Sequence, residues 1–474
     1  MNKFVKLEYI YVLIGASIIT YLLFGNTFIG MADNGDFLRI LGTVGLNYLN
    51  PNDSYENLFF NYAHSVYAYD HFFRSFYPSS QIIIVAIMRC IAYLFNNNHF
   101  YVQFIGALYS MLLLVSGYLF IKYVKSISTY TAVVVSICIL LVYHDIGYIA
   151  YFNSFYGEPV SFVFYLLTIG IGLNLLLKEQ PSRALFTWFA AVSLFFICSK
   201  TQNAPMGIVL ALFTLRYISI VLDGGSLKRL LITLSTSLLL FSAALYIFAP
   251  KEFKHINLYQ TVFYGILKDS TEVEEDLRSL KLPLYLSILA GTNYFQKDTA
   301  IKQDDPILFT DFYNRITHKD VILFYIKHPS RMLINMSKAA EYAMNIRPYY
   351  LGNYERAAGM PSGAMTFKYS LWSEFKHKHI PNRLWFIAIV YLAYYAAAAY
   401  EWIKAGDIKL KMRIELLGLI GIIGFISFLV PLVGDGFADL SKHLFLFNVS
   451  FDTMLIVSVV YICSKLISKK LFML

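Results

Sequence analysis

Ten nearly unbroken apolar runs divide the chain, separated by short polar breaks. They cover residues 9–29, 100–121, 131–149, 159–177, 184–198, 205–222, 231–249, 384–402, 414–433 and 444–467. About 20 apolar residues in helical form cross the hydrocarbon core of a bilayer. Runs of this length without strand-like alternation predict an all-α polytopic membrane protein with about ten transmembrane helices. The first run is too long, and too poor in small residues at its end, for a cleaved signal peptide, so it reads as a retained span. No internal repeat or low-complexity tract interrupts the pattern.

One further apolar stretch, residues 81–95, is short and carries Arg89. If it crossed, the loops holding Lys122 and Lys125, Lys178 and Arg183, Lys228 and Arg229, and Lys404, Lys409, Lys411 and Arg413 would all lie outside. If it does not cross, they fall inside with Lys3, Lys6, Lys469 and Lys470. The inward bias of Lys and Arg selects the second arrangement. Residues 81–95 then form an amphipathic helix on the outer leaflet, or a re-entrant one. Two large segments are consequently outside. The chain divides into a transmembrane module (1–249) with a first outer loop at 30–99, a helical extracytoplasmic segment (250–383), and C-terminal transmembrane helices (384–474). Within the middle segment Thr271 with Glu274 predicts a capping box at a helix start, and Pro306, Pro329 and Pro348 punctuate further helices.

Composition agrees with this division. Hydrophobic residues make up 58% of the 474 and charged ones 15%, against roughly 25% charged in a soluble domain. The net charge of +9 is accounted for by the orienting loops. No basic stripe with interleaved aromatics is present, which argues against a nucleic-acid partner. Cys90, Cys138, Cys198 and Cys463 lie in or beside apolar runs with no CxxC pair, as buried apolar cysteines do.

Acids, amides and aromatics concentrate at the outward ends of the spans. The first cluster, Asp33-Asn34-Gly35-Asp36, follows span one. A carboxyl held at the membrane face has a raised proton affinity, as a general base for a hydroxyl requires. The two acids also suit a divalent cation, and an ordinary Asn-Gly turn accounts for the same residues. The second cluster holds Asn153, Tyr156 and Glu158 before Pro159; Glu158 also suits the positive end of a helix on capping grounds alone. The third is Ser199-Lys200-Thr201-Gln202-Asn203, and the fourth runs from Gly434 to His443 with Asp435, Asp439 and Lys442. Lys200 and Lys442 stand outside against the charge rule, as phosphate partners or as snorkelling lysines, Lys442 with Asp439 beside it as a local pair. His144 and Asp145 share this side; His443 is a candidate hydrogen-bond donor to phosphate or metal ligand, though a lone histidine is more often neither; and one of Arg331, Arg347 and Arg356 is a further anion candidate, with surface pairing the commoner role of any single one.

This layout resembles the GT-C superfamily of membrane glycosyltransferases, in the acidic motif after span one, the long outer loop with a non-crossing helix, and the second acidic motif after span three. The Asp-Asn-Gly-Asp and Asn-Ser-Phe-Tyr-Gly-Glu stretches, with 199–203 and 434–443, look like bacterial glycan-biosynthesis hexose transferases of the WsfD type. The resemblance implies a hexosyltransferase in a bacterial cell membrane, with its site on the extracytoplasmic face. Its donor would be a polyprenyl-phosphate-linked sugar and its acceptor a glycan or lipid-linked molecule. Asp33 or Asp36 inherits the base, with Asp33 favoured for its nearness to the membrane and Glu158 as a third catalytic acid. Asn34, Asn153, Tyr156, Lys200, Gln202, Asp435, Lys442 and His443 would bind substrate, and Asp33, Asp36 and Glu158 would hold a divalent metal if one is used. The carboxylates here are three apart, not an adjacent Asp-Glu or a strict DxD, which leaves both the base and metal dependence open. The rival readings are a transporter or flippase for a lipid-linked glycan, and a glycan polymerase or ligase.

Overall fold

A computed structural model describes residues 6–72, 77–221 and 225–468. Lys3, Lys469, Lys470 and the expected end of the sixth span at residue 222 lie outside the described residues. The helices used below are α1 (Leu7–Leu23), α2 (Phe37–Val44), α3 (Ser80–Phe95), α4 (Gln103–Lys125), α5 (Thr129–Tyr143), α6 (Glu158–Leu175), α7 (Arg183–Ile197), α8 (Met206–Arg216), α9 (Ser226–Ile247), α10 (Lys251–Thr261), α11 (Pro329–Ala340), α12 (Leu371–His379), α13 (Leu384–Lys404), α14 (Ile408–Gly434) and α15 (Phe445–Ser468). A helix occupies each of the ten apolar runs. Six are long and apolar enough to cross a membrane, or seven if α5 and residues 146–152, bent by 57°, make one broken span. The chain is an all-α, multi-pass integral membrane protein.

Local chemistry starts many of these helices. Ser79, Ser128, Ser182 and Asp407 each accept a backbone N–H in the first turn of α3, α5, α7 and α14, satisfying donors a helix start leaves free. Asp145 does the same at the bend after α5, bonding Gly147 N at 2.7 Å. The central helix is α6, 89% buried, whereas α13 is 11% buried and lines the periphery.

Ion pairs and carbonyl contacts gather the basic residues at one end of the bundle. Lys125 meets Glu8 at 2.8 Å and Arg216 meets Glu415 at 2.9 Å. Lys409 and Arg413 bond the carbonyls of Lys178 and Leu176. The acidic and amide-rich loops lie at the opposite end. There α3 is anchored at both of its ends. Ser79 and Ser80 donate to the carbonyls of Ser199 and Phe195. Beyond its far end, β3 (His99–Tyr101) pairs with β2 (Val66–Ala68), which pairs with β1 (Asn47–Tyr48). The helix therefore leaves and rejoins the same end of the bundle. It buries Gln81, Ile84, Val85 and Ala92 and exposes Ile83, Ile87, Ile91 and Leu94, an apolar outward stripe at helical spacing.

The segment between α9 and α13 has its own core, including Tyr259, Phe263, Leu277, Leu286, Phe312 and Phe324. It docks on the spans through Ala339, Ala340 and Met344 against Phe428, Leu432 and Phe447. A second attachment is the fully buried pair Lys376–Asp452 at 2.5 Å, where Trp372 and Tyr148 also donate to Asp452. The expected capping box at Thr271 and Glu274 does not form. The helix there starts after Glu272, and Ser270 Oγ takes the Glu272 N–H. A capping box forms instead at Thr317 and Asp320. Pro306 and Pro329 open helices, while Pro348 sits in a turn.

Candidate functional site

The loop after α1 turns sharply because Gly35 adopts φ +102°, the left-handed region that glycine enters without strain. That turn sends the two aspartates in different directions. Asp33 points inward and is fully buried. Its Oδ1 accepts from the N–H groups of Gly35 and Phe37 at 2.7 and 3.0 Å, and its Oδ2 accepts from Tyr48 Oη at 2.6 Å. Burial pushes its carboxyl up to about 6 against the pull of those donors. Asp36 points the other way, into a large cavity.

The C-terminal loop brings the cation that meets it. Asp439 takes a left-handed φ of +50°, an uncommon conformation for a residue with a side chain. It starts the short turn that carries Lys442. The Lys442 side chain, 1% exposed, lies 2.5 Å from Asp36 Oδ2 and 2.9 Å from Asp439 Oδ2, with its Nζ over the Tyr156 ring at 4.9 Å. Arg39 adds a second contact to Asp36 at 3.2 Å. Burial disfavours the charge on both partners, yet mutual attraction wins: Asp36 is held well below the usual carboxylate range by Lys442 and Arg39, and Lys442 is raised above the usual ammonium range by Asp36 and Asp439. Asn34 completes the join, donating to Asp439 Oδ2 at 2.9 Å and receiving from Tyr156 Oη through its own side-chain oxygen.

Two more pairs stand beside this one. Lys200 bonds Glu158 at 2.7 Å, with the glutamate almost wholly buried at the start of α6. His443 Nε2 lies 2.9 Å from Asp435 Oδ2, and its Nδ1 lies 3.3 Å from Gln202 Oε1. Gln202 also donates to the His443 carbonyl at 2.8 Å. Burial pushes the Asp435 carboxyl up, opposed by His443.

Asn34, Asp36, Arg39, Tyr156, Glu158, Lys200, Gln202, Asp435, Asp439, Lys442 and His443 all line one cavity of about 1420 Å³. One wall is apolar and comes from α8, α9 and α14, including Ile208, Leu239, Tyr246 and Val430. Ile208, Leu239 and Tyr246 are exposed side chains. The remaining lining is polar and aromatic and includes residues of the loop after α1, of the middle segment and of the 199–202 and 434–443 loops.

Two expected site residues lie elsewhere. Asp33 does not line the cavity: it is fully buried and held by three hydrogen bonds from the turn and from Tyr48. Asn153 is buried behind it and donates to the carbonyls of Leu23 and Ile29, so its amide ties the exit of α1 and is not offered to a substrate. Nor does the set Asp33, Asp36 and Glu158 fit a divalent cation: the first is sealed off, and the other two are already neutralised by Lys442 with Arg39 and by Lys200. Among the described residues no three His, Cys, Asp or Glu side chains gather as a ligand set. Lys200 and Lys442 are paired cations and not free ones. Arg331 and Arg347 are bound to Asp276 and Glu374, and neither they nor Arg356 line the cavity. His144 and Asp145 are buried in the bend below the site. Arg39 and Gln260, which reading the sequence did not single out, do line it. Arg39 follows Asp36 by three on a helix, a spacing that signals pairing. Gln260 carries no sequence signal.

Fold and site together define a polytopic membrane protein with a charged cavity at one end of its helix bundle, walled on one side by apolar side chains. The YfdI N-terminal transmembrane domain family matches residues 1–472, and the chain belongs to that family. No curated protein matches it in sequence. Among solved structures it is similar to the archaeal oligosaccharyltransferase AglB from Archaeoglobus fulgidus, in complex with an inhibitory peptide and a dolichol-phosphate. The identity is 12% and the TM-score 0.40, over 98% of this chain and 52% of that one; this chain thus spans about half the length of AglB.

Proposed function

We propose that this protein is a membrane glycosyltransferase of the GT-C kind, related to the WsfD-type hexose transferases. In this reading it moves a hexose from a polyprenyl-phosphate donor to a glycan or lipid-linked acceptor on the extracytoplasmic face. The observation that carries the reading is the two-faced cavity. Its apolar wall between α8, α9 and α14 suits a hydrocarbon tail, and its charged floor suits a phosphate and a sugar. A substrate with both parts in one molecule fits such a place; a small soluble metabolite leaves the apolar wall uncovered.

The chemistry follows from the pairs. The acceptor hydroxyl docks on Asp36, and its oxygen attacks the anomeric carbon in line with the departing lipid phosphate. The new bond forms as the sugar–phosphate bond breaks, and the electron pair leaves with the phosphate. Inversion at the anomeric carbon follows. Asp36 is held ionised, so its proton affinity is low and it takes the proton late, once bonding to the sugar has made the hydroxyl acidic. Lys442, Lys200 and Arg39, each shared between its carboxylate partner and the phosphate, compensate the phosphate charge. The test is to incubate purified protein with a panel of labelled polyprenyl-phosphate hexoses and cell-envelope acceptors. Label should move to an acceptor with one donor. If every donor stays intact while the protein equilibrates lipid-linked sugar across vesicles, it is a flippase.

A further inference from the structure

Most polar atoms around the cavity have partners, but three acceptor oxygens do not. Gln260 Oε1, Asp435 Oδ1 and Asp439 Oδ1 are buried and receive no hydrogen bond. Gln260 is 3% exposed, it lines the same cavity, and its side-chain amide makes no hydrogen bond among the described residues. The three belong to one neighbourhood. Gly436, next to Asp435, lies so close to α10 that a Cβ there would stand 2.5 Å from the Gln260 carbonyl oxygen. Gly265, in the turn that follows α10, would meet Gly436 Cα at 2.9 Å. The packing thus sets the Gln260 backbone against the loop that carries both aspartates, and all three side chains line the one cavity.

We propose that Gln260, Asp435 and Asp439 form a subsite for the hydroxyl-rich ring of a sugar. Unmet buried acceptors call for a ligand that brings hydrogen-bond donors. A cation is the poorer fit, since the other oxygens of the two aspartates are already matched by His443 and Lys442. A ring with several O–H groups supplies neutral donors at separate points. The Gln260 amide both donates and accepts, so it reads a pair of neighbouring hydroxyls. This makes Gln260 a specificity-determining residue, contributed by the middle segment. The inference rests on the transferase reading above, and the ring belongs to either the donor or the acceptor.

Two variants test it in the full-length protein: Gln260→Met, which keeps length and removes the amide, and Gln260→Asn, which keeps the amide and shortens its reach. Binding of undecaprenyl phosphate is compared with that of undecaprenyl-phosphate hexoses, and acceptor KM is measured in parallel. If the ring is the donor's, both variants weaken binding of the sugar-bearing lipid by about 10-fold, the scale of one or two hydrogen bonds, and leave undecaprenyl phosphate unchanged. If it is the acceptor's, acceptor KM rises by a similar factor and donor binding holds. Should Met fail to fold, judged by gel filtration, Asn alone decides. Unchanged donor and acceptor constants in a folded variant, with wild-type transfer intact, overturn the subsite and leave the transferase standing. Absence of transfer by the wild type overturns both.

Discussion

Replacing Asp36 with Asn removes one charge from the Asp36–Lys442–Asp439 group while preserving size. Lys442 is 1% exposed and lies 2.5 Å from Asp36 and 2.9 Å from Asp439. Stripping every partner from a buried charge costs about 3–5 kcal/mol. Here Asp439 remains and Asp36 is itself half-buried, so the loss should be smaller, about 1–2 kcal/mol, the lower part of the range for a charged hydrogen bond. That lowers the melting temperature by a few degrees and leaves the protein folded. Activity should fall far more, by roughly 100-fold or beyond, because Asn cannot take the acceptor proton. Transfer measured with saturating donor separates the two effects, since donor binding depends on the lysines and the apolar wall. Asp33→Asn is the control: its side chain does not reach the cavity, so stability should drop and kcat per folded molecule should hold. Full activity of Asp36→Asn, or an Asp33→Asn protein that is stable and inert, refutes the assignment and returns the base to Asp33.

Asp33 also sets a pH dependence. Its folded carboxyl titrates near 6 against about 3.9 in an unfolded chain. Between those values the folded state keeps a proton that the unfolded state has lost, so stability falls as pH rises from about 4 to about 6. Melting curves should show this in the wild type and less of it in Asp33→Asn; identical slopes count against it. For the Glu158–Lys200 pair, a double-mutant cycle with Glu158→Gln and Lys200→Met should give a coupling energy of about 1–3 kcal/mol, and additive losses would show that the pair is not formed. A single cysteine at Asn98, which is exposed beyond α3, should react with an impermeant reagent added to intact cells, and its protection would mean that α3 changes sides.

A helix in each of the ten runs was legible because a bilayer demands long apolar runs, though only six of these helices, or seven with the bent pair, are long and apolar enough to cross. The four polar clusters were legible for the complementary reason: charged and amide residues stand out where everything around them is apolar. Their pairing was not. Asp36 and Lys442 are 406 positions apart and Gln202 and His443 are 241 apart, and only the packing of α14 and α15 against α6 and the first loop joins them. Nearness to the membrane favoured Asp33, but direction decides, and direction depends on the φ of Gly35. Asn153 sat in a cluster that faces the site, yet its amide turns back to cap the exit of α1. Gln260 is an isolated amide on a polar helix, and its burial without a partner among the described residues is visible only in three dimensions.

The route by which the cavity is closed bears on how the protein is made. Glu158 and Lys200 come within 42 residues of each other, so that pair can form soon after both have left the ribosome. Asp36 is synthesised early but has to wait for Lys442, more than four hundred residues later. Until the hairpin of α14 and α15 inserts, the nascent chain holds Asp36 without Lys442, with Arg39 beside it, and a cavity without its α14 wall. The order of translation therefore delays the Asp36–Lys442 pair until residue 442 has been made, long after the Glu158–Lys200 pair.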